Sequence, residues 1–124
     1  MKFLKCKLCG KIVIEVKGSK CPTKCCGEAM EEIVANTTDA AVEKHVPVVE
    51  VNGNQVKVTV GDVIHPMTEP HYIEWIALET NQGYQFKALT PADQPIACFA
   101  LAEGEAAVAA YENCNLHGLW KKEL

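Results

Sequence analysis

Between Val46 and Val60 the chain alternates apolar and polar side chains, Val46-Pro-Val-Val-Glu-Val51 and then Gln55-Val-Lys-Val-Thr-Val60. A period of two places one set of side chains on one face of a strand, so both runs are predicted strands. Asn52-Gly53 between them is the turn pair that closes a hairpin. The same signal returns down the chain. Strands are predicted from Tyr72 to Thr80 and from Tyr84 to Thr90, parted by Asn81-Gln-Gly83. Two more follow, from Gln94 to Ala102 and from Ala106 to Glu112, joined at Glu103-Gly-Glu105. Ala106-Ala-Val-Ala-Ala110 has helical propensity as well, but its place among evenly spaced strands favours strand. Short strands at this spacing predict a β-sandwich over roughly the last 90 residues.

Upstream the pattern is different. Lys11-Ile-Val-Ile-Glu-Val16 is a lone β-branched run, and Gly18-Ser19 turns the chain back behind it. Val34-Ala-Asn-Thr-Thr-Asp39 is polar and aperiodic, and reads as a linker. Two domains are therefore expected, residues 1–34 and residues 35–124, with a mainly β fold throughout. A stretch of 34 residues is too short to build an adequate core, so a structural metal is expected to hold it.

The composition sharpens this picture. At 124 residues with 48% hydrophobic and 23% charged side chains, the chain has the make-up of a soluble globular protein. A net charge of −4 without any basic run argues against nucleic acid or a membrane surface as partner. The N-terminal residues lack the apolar run of a signal peptide, and nothing approaches the roughly 20 apolar residues of a membrane span. A cytoplasmic protein is expected. Seven cysteines in a reducing compartment point to metal rather than to disulfides.

The cysteines fall into a pattern. Cys6-Lys-Leu-Cys9-Gly10 is a turn that aims two thiolates at one ion, its glycine allowing the tight reversal. Cys25-Cys26-Gly27 supplies the second pair, with Cys21 as a competing ligand and Cys98 read as a buried small hydrophobe. A zinc ribbon would close with a second Cys-x-x-Cys; adjacent cysteines impose a strained bite instead. Near the C-terminus, Cys114-Asn-Leu-His117-Gly118 puts a thiol and an imidazole within one turn of backbone. The remaining histidines are His45, read as beginning a strand, and His65 and His71, which bracket a loop stiffened by Pro66 and Pro70. Thiolate and imidazole donors suit iron, zinc or copper and not magnesium or calcium.

Cys6-x-x-Cys9 with Cys25-Cys26-Gly27 resembles desulforedoxin, whose iron is held by four thiolates. Glu43-Lys44-His45-Val-Pro, His65-Pro-Met-Thr-Glu-Pro-His71 and Cys114-Asn-Leu-His117-Gly resemble the catalytic domain of the superoxide reductases of the neelaredoxin type. Together they resemble the desulfoferrodoxin family over essentially the whole chain, with Cys21 the one departure. The resemblance implies a desulforedoxin-like head followed by an immunoglobulin-like β-sandwich, with two iron ions per chain. One would be Fe(Cys)4 on Cys6, Cys9, Cys25 and Cys26. The other would be Fe(His)4Cys, with His45, His65, His71 and His117 in a plane and Cys114 axial. Superoxide would be reduced at the second iron, which a rubredoxin-like donor would re-reduce. Lys44 would add positive charge beside the open position, and Glu43 would resemble the family's glutamate that occupies it in the ferric state. A homodimer is implied as well. Two other classes remain: a β-sandwich copper electron-transfer protein with Met67 as weak ligand, and a non-catalytic zinc-binding interaction module.

Overall fold

The computed structural model describes residues 2–124, and they form two compact units, one up to Val34 and one from Ala35 to Leu124. In the first unit β1 (Lys2–Lys5) is the central strand of a three-stranded antiparallel sheet. It pairs on one side with β2 (Ile12–Glu15) and on the other with β5 (Glu31–Glu32). A separate two-stranded ribbon joins β3 (Lys24–Cys25) to β4 (Glu28–Ala29). The buried apolar set here is small, consisting of Phe3, Leu4 and Cys6. Three such side chains contribute too little to order over thirty residues, so the unit depends on its thiol cluster.

The second unit is an immunoglobulin-like sandwich of two antiparallel sheets. One sheet holds β6 (Pro47–Asn52), β7 (Gln55–Val60) and β10 (Ile96–Ala100), with β7 central. The other holds β8 (Ile73–Thr80), β9 (Gly83–Ala88), β11 (Ala107–Cys114) and β12 (Gly118–Glu123), in the order β12-β11-β8-β9. Alternation along β7 turns Val56, Val58 and Val60 inward, all fully buried. They meet Ile73, Ile76, Leu78 and Phe99 in a single core. Each such side chain contributes about 1.5–3 kcal/mol of burial, which makes this core the rigid support for the loops at the sandwich's end.

Several expectations needed correction. His45 does not begin a strand; it ends α1 (Val42–His45), a single helical turn. Val46 N–H donates to the carbonyl of Val42 at 2.9 Å, and Pro47, which cannot continue a helix, begins β6. Strands β1 and β12 were missed, because Lys2–Lys5 and Gly118–Glu123 show no clean alternation. Cys98 is exposed: alternation on β10 buries Ala97 and Phe99 and turns the thiol outward. Asn36, within the polar stretch read as linker, is docked on β12. Its side chain donates to Lys121 O at 3.1 Å and accepts from Lys121 N–H at 2.9 Å.

One irregularity positions the site. Between β11 and β8 the register shifts, so that Asn113 faces Trp75 while Cys114 faces Ile73. The extra residue, Glu74, is a bulge, and its carboxylate accepts a 2.8 Å bond from the Asn113 amide. Regular pairing would have set a carboxylate opposite Cys114; the bulge puts a buried isoleucine there instead.

Candidate metal centres

The ligand-bearing loops are fixed by main-chain contacts and by one asparagine side chain. The turn that carries His45 packs against the loop after β7 at Gly61, where a Cβ would lie 2.8 Å from the carbonyl oxygen of Glu43. Only glycine allows that approach. Val63 N–H then donates to Glu43 O at 3.0 Å and His65 N–H to Val60 O at 3.0 Å, which sets the second histidine. Asn115 ties the remaining two segments together. Its side chain accepts from Tyr72 N–H at 3.0 Å and donates to Pro70 O at 3.1 Å, bracketing His71.

The four imidazoles form a closed ring. His45 meets His65 at 72°, His65 meets His71 at 79°, His71 meets His117 at 82° and His117 meets His45 at 87°. Each centroid lies 4.6–5.1 Å from the next, so every ring presents an edge to a common centre. His45 Nδ1–H donates to Ala41 O and His65 Nδ1–H to Pro66 O, both at 2.7 Å. With Nδ1 protonated, each Nε2 carries a lone pair, yet those two nitrogens are 3.2 Å apart. His45 Nε2 is also 3.1 Å from His117 Nδ1, while His71 Nε2 is buried without a hydrogen-bond partner among the described residues. Inward lone pairs at such distances repel unless a cation lies between them. Nitrogens at about 2.1 Å from one ion in a square plane would be roughly 3 Å apart along each edge, which matches.

Electrostatics agree with that reading. Burial pushes His65 down to about 4 and lowers His45 and His71, so these rings are neutral donors at neutral pH. Cys114, also buried, has its thiol pushed up by desolvation, while the backbone amides of Leu116 and His117 pull the other way. Its Sγ is 3.8 Å from His117 Nδ1, and all five donor atoms lie within 4.8 Å of one another. Lys44 is exposed beside this ring; it lines a cleft with Ile64, His65 and Pro66, and its charge is felt by both His45 and His71. Glu43 lines a second cleft with Asp62 and Lys122. Met67, the weak ligand a copper site would need, is turned elsewhere: its Sδ accepts from Ile73 N–H at 3.4 Å against the core.

The cysteine group lies wholly within the first unit and gathers Cys6, Cys9, Cys25 and Cys26. Cys9 Sγ is 3.6 Å from Cys25 Sγ, and Cys25 Sγ is 3.9 Å from Cys26 Sγ. Those separations exceed a disulfide bond and match the roughly 3.8 Å edge of a tetrahedron with metal–sulfur bonds near 2.3 Å. Neighbouring thiols converge because Cys26 (φ 54°) and Gly27 (φ 78°) are both left-handed. At a non-glycine residue that conformation costs about 1–2 kcal/mol. Cys6 is lowered to about 7 by the Cys9 amide, whereas Cys25 is pushed up to about 12 by thiols it would have to face as an anion. Four thiols cannot share this space as anions without a cation. Cys21 is exposed and is not part of the group.

Sequence reasoning reached every residue in the two donor groups but missed three that surround the second. Trp120 stacks on His45, Asn115 holds the His71 segment, and Glu112 is fully buried two residues before Cys114. The position of Asn115 inside Cys-x-x-His could have marked it; nothing in the local pattern marks Glu112.

A β-sandwich with one group of four histidines and a cysteine, joined to a small unit with a four-cysteine group, defines a two-centre non-haem metalloprotein. A profile of the desulfoferrodoxin family matches residues 37–123, and the chain belongs to that family. It is 46% identical over 123 residues to a desulfoferrodoxin of Syntrophotalea carbinolica, covering 99% of this chain and 96% of the relative. The solved superoxide reductase of Treponema pallidum superposes with a TM-score of 0.83 at 41% identity, covering 98% of each chain. A one-iron superoxide reductase of Giardia intestinalis matches with a TM-score of 0.57 at 36% identity. That likeness covers 66% of this chain and 99% of the other.

Proposed function

We propose that this protein is a superoxide reductase, with residues 1–34 as a desulforedoxin-like iron-binding domain and residues 35–124 as the catalytic β-sandwich domain. The observation that carries the reading is the closed ring of four imidazoles with inward lone pairs over a buried thiol. His45, His65, His71, His117 and Cys114 would hold the catalytic iron, and Cys6, Cys9, Cys25 and Cys26 the other. An iron held by the five donors would supply the one-electron chemistry that reduces superoxide, with an external donor restoring the electron. Reduction of superoxide to hydrogen peroxide consumes that electron and two protons.

The chain's own residues prepare this chemistry. Ala41 O and Pro66 O hold the Nδ1 protons of His45 and His65, so both rings offer Nε2 in fixed planes. The Leu116 and His117 amides favour the thiolate form of Cys114 against its burial. His45, His65, His71, His117 and Cys114 would hold an iron able to take a small anion such as superoxide. Glu43, two residues before His45 on the same helical turn, would serve as an anionic partner of the oxidised centre. In the head Cys6, Cys9, Cys25 and Cys26 would hold the other iron with four thiolates, which suits a structural or electron-transfer role. Family likeness supports a rubredoxin-like donor, a homodimer and a cytoplasmic setting; no helix among the described residues is long and apolar enough to cross a membrane.

The test is metal analysis together with superoxide consumption by the purified protein. About two irons per chain and stoichiometric peroxide are expected, since there are two donor groups. Zinc alone, or iron without peroxide, would overturn the assignment.

Lys44 gives a finer prediction. With a net charge of −4 the protein as a whole repels superoxide, so local charge must reverse that field. At physiological ionic strength screening sets in over about 8 Å, leaving only nearby cations effective. Lys44→Ala is expected to slow the bimolecular reaction about ten-fold and to flatten its dependence on salt. Pulse radiolysis over a salt series checks this; identical slopes would show a merely solvated lysine.

A further inference from the structure

Trp120 lies on β12, three residues beyond the last histidine, and is 2% exposed. Its ring stacks on the His45 imidazole, centroids 5.0 Å apart and planes within 22°. Its indole Nε1–H donates to the main-chain carbonyl of His117 at 3.1 Å. One side chain thus reaches two neighbouring members of the imidazole ring by two different contacts. We infer that Trp120 is a positioning residue for the five-donor centre, setting the plane of His45 and the main-chain position of His117. The inference rests on the superoxide reductase reading of that site.

The two contacts do separate work. His45 is held at one edge by the Nδ1–H bond to Ala41 O, which leaves the ring free to tilt about that bond. A flat indole against its face removes the tilt, and the His45 plane fixes where its Nε2 lone pair points. His117 differs from His45 because its inward atom is Nδ1, the ring nitrogen nearer the backbone. With a shorter lever between donor atom and main chain, the position of Nδ1 follows the main chain closely. An anchor on the His117 carbonyl therefore acts on the donor atom itself. Hydrophobic packing alone requires neither the stacking angle nor the N–H bond. The cross-strand pair of Trp120 with Glu112 seats the indole on the inner face of β12, fixing it from the sheet and not from the loop.

Changes to groups that orient metal ligands typically cost 10–100-fold in metal affinity. The experiment is an equilibrium competition between the full-length, iron-loaded, reduced protein and a chromophoric ferrous chelator. The four-thiolate iron serves as internal reference. Trp120→Leu, which loses both contacts, is expected to weaken retention of the five-donor iron 10–100-fold. Trp120→Phe, which keeps a stacking face and loses the N–H bond, should fall between it and wild type. The visible band of the oxidised five-donor centre should shift in the same order. Phe99→Leu trims the sandwich core at a residue outside both donor groups; it should lower stability and leave iron retention unchanged.

Equal retention in Trp120→Phe and wild type, with an unshifted band, would remove the carbonyl anchor from the role. Equal loss of iron in Phe99→Leu and Trp120→Leu would reduce Trp120 to packing. If Trp120→Leu does not fold, the Phe variant and its band still decide. Wild-type protein that holds no iron at the five-donor site would overturn the reading of the site, and this role with it.

Discussion

Cys114→Ser is expected to lose about a hundred-fold or more in the rate of superoxide reduction, beyond the 10–100-fold typical of groups that only orient ligands. The thiol is 1% exposed, faces Ile73 across the bulge at Glu74, and receives the amides of Leu116 and His117. That environment suits a soft anionic sulfur and supplies little to a hydroxyl, which remains protonated at neutral pH and binds iron weakly. Serine would also remove the electron density that the Cys114 thiolate would give an iron held there. The fold should survive, because the change is small and the core around it stays apolar. Iron content and the pulse-radiolysis rate must be measured on the same sample. An iron-replete serine variant with an unchanged rate would remove the thiolate from the chemistry; a metal-free one would show that the sulfur's first task is retention.

The donor residues were legible in the sequence because metal ligation leaves a local mark. Cys6-x-x-Cys9, Cys25-Cys26 and Cys114-x-x-His117 are spacings that chain geometry converts into convergence. The hairpin of β6 and β7 was legible for a similar reason, since period-two alternation and a glycine at φ 62° are local features. What failed depended on contacts distant in sequence. His45 read as a strand start because Val46 and Pro47 extend beyond it, while the Val46–Val42 bond that closes its helical turn leaves no mark in side-chain pattern. Cys98 read as core because its neighbours are apolar, yet the register of β10 on β7 pairs it with Lys57 on an outer face. Trp120 carries no local mark, because the imidazole it stacks on belongs to His45, far away along the chain. The bulge at Glu74, which decides what faces Cys114, belongs to the pairing of two strands nearly forty residues apart and to neither alone.

Glu112→Met is expected to stabilise the sandwich, and by more as pH rises. Glu112 is fully buried on β11, and neither carboxyl oxygen has a hydrogen-bond partner among the described residues. Burial pushes its pKa from the usual 4.5 up to about 9, so the folded protein carries it neutral. Since the folded value is the higher one, folding takes up a proton throughout the window between them. Stability is therefore complete below pH 4.5 and is lost as pH rises towards 9. At about 1.4 kcal/mol per pH unit, the loss at pH 7 amounts to roughly 3 kcal/mol. Methionine has a similar volume and no charge to desolvate, so the variant escapes this loss. For a unit of this size roughly 3 kcal/mol corresponds to about 10–20 °C in midpoint temperature. Chemical unfolding of both proteins at matched metal loading, from about pH 5 to about pH 9, measures it. The two stability curves should diverge with pH, the wild type falling while the variant lacks this contribution. A constant gap across that range would mean that Glu112 is charged in the folded protein and has found a partner there.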